Sequence, residues 1–181
     1  MKHIFGRWAA SVCALGAAIL PTAAGEVKTF PAPGIDLTVF KTFKVLPIRV
    51  LTRRGLLEND PDISPFILSS LRIQLAAKGM TETAAGADLE VSAGALAVAV
   101  PQLEAIIYSW IPSGTQWGSA PLATVGRYNK EGTLVVNLID PRRNESVWFG
   151  LAKRALGKPE NLGKDIDKAA QALFRKFPAS R

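Results

Sequence analysis

Side chains that could carry chemistry are few in this sequence, and most stand where chemistry is hard to do. The single histidine, His3, and the single cysteine, Cys13, both fall in the first 24 residues. Carboxylates, hydroxyls and amines remain. "GKPENLGKD" (residues 157–165) invites a phosphate-loop reading. It fails in two places: five residues separate the glycines instead of four, and Asp165 stands where Ser or Thr would hold magnesium. "ENDPD" (residues 58–62) offers three acids and an amide to calcium, yet lacks the glycine and distal glutamate of the known calcium loop. Asp140, Arg142, Arg143 and Glu145 gather between two alternating runs in "EGTLVVNLIDPRRNESVWFGLAKRAL" (residues 131–156). They read as a solvated hairpin tip, where little would shift a pKa.

The first residues explain the loss of His3 and Cys13. Lys2, His3 and Arg7 precede an uncharged apolar run from Trp8 to Leu20, and small residues close it at Ala23 and Ala24. Basic start, short apolar stretch and small-residue exit describe a secretory signal peptide over residues 1–24, cleaved after Ala24 or after Gly25. The apolar run is short for a membrane span, which needs about 20 residues. Valine immediately before Cys13, and no leucine three before it, make a poor lipoprotein box. The expected location is therefore periplasmic or secreted, with a lipid-anchored envelope form as the lesser reading. Export removes Lys2 and Arg7, leaving 20 basic residues against 15 acids, a net charge of +5. It also removes every Cys and His. Disulfides, thiol catalysis, a Ser-His-Asp triad and Cys/His zinc sites are then excluded.

The elements that must position the remaining groups follow from pattern. Residues 25–35, with Pro31, Pro33 and Gly34, form an extended lead-in; residues 36–178 form one α+β domain. A strand is expected near residues 43–50, with Pro47 confining it to an edge or splitting it. "TRRGLLENDPD" reads as a polar loop. "SPFILSSLRIQLAAKG" predicts a helix capped by Ser64, with Pro65 in its first turn, Leu68, Leu71 and Leu75 on one face, and Gly79 at a left-handed stop. "ADLEVSAGALAVAV" alternates as a strand. Residues 134–139 are apolar on both faces and so predict a central strand. Asp140-Pro141 turns the chain, Asn144 takes a left-handed conformation, and Val147, Phe149 and Leu151 return. A last helix buries Leu162, Ile166, Ala169, Ala170, Leu173 and Phe177. This order predicts an antiparallel sheet with two helices packed on one face, a two-layer sandwich.

Five segments, in this order, resemble a known family: "VFKTFKVLP" (39–47), "LRIQLAAKGM" (71–80), "ADLEV" (87–91), "EGTLVVNLIDPRRNESVWFGLAK" (131–153) and "AAQALFRKFP" (169–178). Together they are similar to the bacterial envelope family called domain of unknown function 4136. The resemblance implies a fold and an exported, often lipoprotein-like, context. It implies no catalytic residue and no cofactor.

Residues 101–130 carry no period, several prolines and the aromatics Tyr108, Trp110, Trp117 and Tyr128. Irregular strands and a long loop are expected there. Packing over an open sheet face is one reading of these rings; a partner surface is the other, since Trp and Tyr anchor interfaces. The basic pairs are scattered rather than concentrated among stacking aromatics, which argues against nucleic acid. An envelope protein or an anionic envelope component, with peripheral attachment to a membrane, suits the charge better. The functional expectation is an exported, non-catalytic binding or scaffolding module with no catalytic, cofactor or metal residues. The rival is a hydrolase using carboxylates or Ser/Lys.

Overall fold

The computed structural model describes residues 26–53, 55–97, 132–153, 156 and 158–181. In chain order the strands are β1 (Val27–Pro31), β2 (Thr42–Val45), β3 (Arg49–Thr52), β4 (Gly55–Glu58), β5 (Thr81–Glu82), β6 (Leu89–Leu96), β7 (Thr133–Asp140) and β8 (Glu145–Ala152). The helices are α1 (Ser64–Ala77), between β4 and β5, and α2 (Leu162–Phe174), after β8. The extended lead-in thus includes β1, which pairs antiparallel with β8 and sets Phe30 opposite Phe149.

All eight strands join one sheet, with β1, β8, β7 and β6 adjacent in that order. β6 then pairs with β2 through Leu89–Val91 and with β3 through Gly94–Leu96, both parallel. The sheet is therefore mixed, not antiparallel as the element order suggested. Pro47 splits the predicted strand into β2 and β3. It has no N–H to add to a ladder, so the chain breaks pairing across residues 46–48 and resumes on the same neighbour. Asn59 supports the break by accepting a hydrogen bond from Ile48 N at 3.0 Å.

The expected polar loop over residues 52–62 contains β4, paired antiparallel with β3 from Arg49↔Glu58 to Thr52↔Gly55. Its residues are exposed, so burial left no alternating mark in the sequence.

The core lies between the helices and one sheet face. Ile67, Leu71 and Leu75 of α1 and Ile166, Ala170, Leu173 and Phe174 of α2 join one cluster with Val91, Ala93, Leu134, Val136 and Leu138. Both helices thus pack on that face. A two-layer description covers this side only, because Val135, Phe149 and Leu151, which alternate onto the other face, are buried too. Two helix details differ from expectation. Leu68 is only half-buried, and Ile67 takes the core position. Ser64 does not cap α1: its buried hydroxyl has no partner, and Asp60 accepts the amide hydrogens of Asp62 and Ile63 at 3.0 Å instead. Gly79 has φ +82, the left-handed stop predicted for it.

Among the described residues Trp148 is the largest buried side chain. Its ring stacks on Phe174 at 5.4 Å and meets Phe177 edge-on at 5.8 Å. Gly150 sits beneath it: a β-carbon there would lie 2.6 Å from the Trp148 ring and 2.8 Å from Leu173. Only a glycine lets α2 and the indole close together over β8. No helix among the described residues is long and apolar enough to cross a membrane.

Candidate functional site

Each sequence-level site candidate can now be placed. Tyr108, Trp110, Trp117 and Tyr128 lie outside the described residues. "ENDPD" is architecture: Asn59 holds the β2–β3 break, and Asp60 accepts the amides of Asp62 and Ile63 in the turn that leads into α1. Among the described residues no group of three or more His, Cys, Asp or Glu could hold a metal ion. The segment before α2 forms a short 3-10 turn at Pro159–Asn161, with no helix-capping side chain at its start.

The hairpin tip departs from the solvated turn in one respect. Asn144 is left-handed, φ 50, and Arg142 and Arg143 are exposed. Asp140, however, is only 4 % exposed. Its Oδ1 accepts the Arg142 amide at 2.9 Å and lies 3.5 Å from the Arg142 guanidinium. Arg143 pairs with Glu145 at 2.7 Å. The carboxylate of Asp140 closes the turn, and its burial was invisible in a sequence that places it next to four polar residues.

Beside this tip lies a groove of about 340 Å³, lined by Lys44, residues 85–88, Glu90, Pro141 and Arg142. Asp88 is its best-ordered group. Asp88 Oδ2 accepts hydrogen bonds from Lys41 N, Thr42 N and Thr42 Oγ1, each at 3.0 Å. Asp88 N in turn donates to Thr42 Oγ1 at 2.9 Å. The Lys41 amide, then the Thr42 hydroxyl and amide, and finally the charge of Arg142 hold the Asp88 carboxyl below the usual range, against the opposing effect of burial. A carboxylate so engaged is a poor proton acceptor. It clamps β2 to the start of β6. Nothing local in the alternating segment marks Asp88, since its donors come from 46 and 47 residues away.

A second groove, about 510 Å³, is mostly apolar and is lined by Asp62, Ile63, Phe66, Ala97, Leu156, Pro159 and Leu162. Among the described residues neither lining contains a serine, threonine, cysteine or histidine. Among the described residues, Ser70 bonds to Asp167, and Ser146 bonds to Asn137.

The comparisons with known proteins agree with this fold. A DUF4136 family protein from Bacteroides thetaiotaomicron superposes with a TM-score of 0.60 at 14% identity, covering 86% of this chain and 96% of that one. A PDZ domain protein from Parabacteroides distasonis superposes with a TM-score of 0.51 at 16% identity, over 86% of this chain and 37% of that one. The PelC dodecamer subunit from Paraburkholderia phytofirmans gives 0.45 at 15% identity, over 87% and 99%. At such identities the likeness speaks to the fold alone. No functionally curated protein matches the chain. The sequence profile of one family, by contrast, matches residues 27–179, from β1 through the segment after α2. Within the matched span Asp140 closes the central hairpin, and Trp148 and Gly150 seat the last helix. The chain belongs to the family described as domain of unknown function (DUF4136).

Proposed function

We propose that this protein is an exported cell-envelope module that binds or scaffolds and performs no chemistry. Residues 1–24 serve as its signal peptide, and its partner is an envelope protein or an anionic envelope component. The observation that carries the reading is where the carboxylates are engaged. Asp36, Asp60, Asp88 and Asp140 each accept at least one backbone N–H at a turn, a helix start or a strand junction. Groups fixed in this way hold the chain in place and leave none of these four acids poised as a general base. The charged leader and its small-residue exit support the compartment.

Two measurements test the proposal. Intact mass of the exported form is expected to show a chain beginning at Gly25 or Glu26. A species beginning at an acylated Cys13, or a chain retained inside the cell, overturns the compartment. An in-cell crosslinker applied to intact envelopes is expected to trap the protein on a discrete envelope component. Recovery of the uncrosslinked chain alone overturns the binding role.

A further inference from the structure

The outward faces of the two helices form one surface with two unusual properties. On α2, Lys164, Lys168, Gln171 and the adjoining Arg175 recur at spacings of four, three and four, and all are exposed. At 3.6 residues per turn they form a stripe about 60° wide and roughly 16 Å long. It lies opposite the buried Ile166, Ala170 and Leu173. None of the three cations forms an ion pair with a described residue. The acids of the helix flank the stripe: Asp167, exposed, accepts a hydrogen bond from Ser70 of α1, and half-buried Asp165 sits on the other side.

On α1, Phe66 and Ile73 are seven residues apart and so share a face; they are 44 % and 56 % exposed. The Phe66 ring lies against the first turn of α2, since a β-carbon on Gly163 would come within 3.0 Å of it. The apolar pair therefore begins beside Lys164. Helix stability does not account for this charge. Arg175, at the C-terminal end, complements the helix dipole, but Lys164 in the first turn opposes it, and Lys164 and Lys168 repel each other at i, i+4.

Resting on the envelope reading above, we infer that this helical face docks the protein on an anionic phospholipid surface. The three cations meet headgroup phosphates, and Phe66 and Ile73 enter the boundary between headgroups and acyl chains. The apolar pair is what favours lipid over a soluble polyanion. Cations alone would suffice for the polymer, whereas large apolar side chains gain only where an acyl region receives them.

Vesicle flotation with the full chain tests this, because residues 1–24 are then common to every variant. The chain is expected to float with vesicles of phosphatidylcholine containing one-third phosphatidylglycerol. Binding to phosphatidylcholine alone should be much weaker, and the difference should shrink as salt shortens the Debye length. The variant Lys164→Ala/Lys168→Ala/Arg175→Ala should partition roughly a hundredfold more weakly, about tenfold lost in every one to two cations. Its melting temperature should be unchanged, because all three side chains are exposed. Phe66→Ser/Ile73→Ser should lose roughly tenfold on the same vesicles while keeping its salt sensitivity. Equal flotation of the triple variant and the parent chain overturns the proposal, as does equal binding of the parent to neutral and anionic vesicles. Full retention by Phe66→Ser/Ile73→Ser, with dextran sulfate competing the vesicles away, replaces lipid by a soluble polyanion and overturns it too. Failure on vesicles with successful crosslinking to an envelope protein removes the lipid face and leaves the envelope-module reading standing.

Discussion

Two antiparallel hairpins flank β6, and they share little beyond topology. β7–β8 runs from Thr133 to Ala152, and fifteen of its sixteen strand residues are buried. β3–β4 joins Arg49–Thr52 to Gly55–Glu58, and all four residues of its outer strand are exposed, with Leu56 and Leu57 48 % and 37 % open to solvent. The first has neighbours on both edges, β6 and β1; the second has β6 on one edge only. Position within the sheet, more than strand composition, sets how much each hairpin contributes. Leucines on an edge strand that stay this open to solvent remove less surface from water than fully buried ones.

The largest effect is expected at the middle of the buried hairpin. Val136 is fully buried beneath the helices, opposite Ala93 on β6 and Gly150 on β8. Val136→Asp places an unpaired carboxylate in that core and should cost about 4 kcal/mol or more. A thermal melt or urea titration that shows less than about 1 kcal/mol would mean that β7 is not central.

An intermediate effect belongs to the border between the two hairpins, where Asp88 fastens β2 to β6. Asp88→Ala leaves the Lys41 and Thr42 amides without their acceptor and should cost about 2 kcal/mol at pH 7. The pH dependence has a definite sign. The folded-state pKa of Asp88 is depressed, so its contribution is complete above the unfolded value of about 3.9 and is lost as pH falls from there through the lower folded value. Denaturation curves at successive pH values should therefore show parent and variant converging in acid. A gap that stays constant down to pH 2 would assign the loss to packing rather than to the carboxylate.

The smallest effect is expected on the edge. Leu56→Ser should change stability by about 0.5 kcal/mol or less, because nearly half of the side chain is already in water. A larger loss, read from the same denaturation curves, would show that β4 is covered and that the contrast between the hairpins is false.

The parts of the molecule legible in advance were those fixed by neighbours in sequence. Apolar spacing placed both helices and the buried faces of β6, β7 and β8. Asp140-Pro141 and the left-handed Asn144 marked the tight turn of β7–β8, and Gly79 marked the end of α1. Even here local rules could compete: Ser64 looked like a cap, but Ile63 takes that place, the Asp60 carboxylate orders the turn ahead of it, and Ser64 is drawn into the helix. The candidate site was less legible still. Asp140 looked solvated from its polar neighbours, and the Asp88 clamp joins residues 46 and 47 positions apart.

Amino-acid order alone therefore determined where both helices and the buried strands β6, β7 and β8 lie, since a repeat of 3.6 or 2 residues is written into the chain itself, whereas exposed β4 carries no such mark. Tertiary structure decided which strands are neighbours and in which direction they run. A period of two residues is the same for parallel and antiparallel pairing, so nothing in residues 42–52 announces that both of its strands run parallel to β6. Only the folded chain, by closing Trp148 and Gly150 against α2 and laying β2 and β3 end to end on one edge, selected that arrangement from those the pattern allowed.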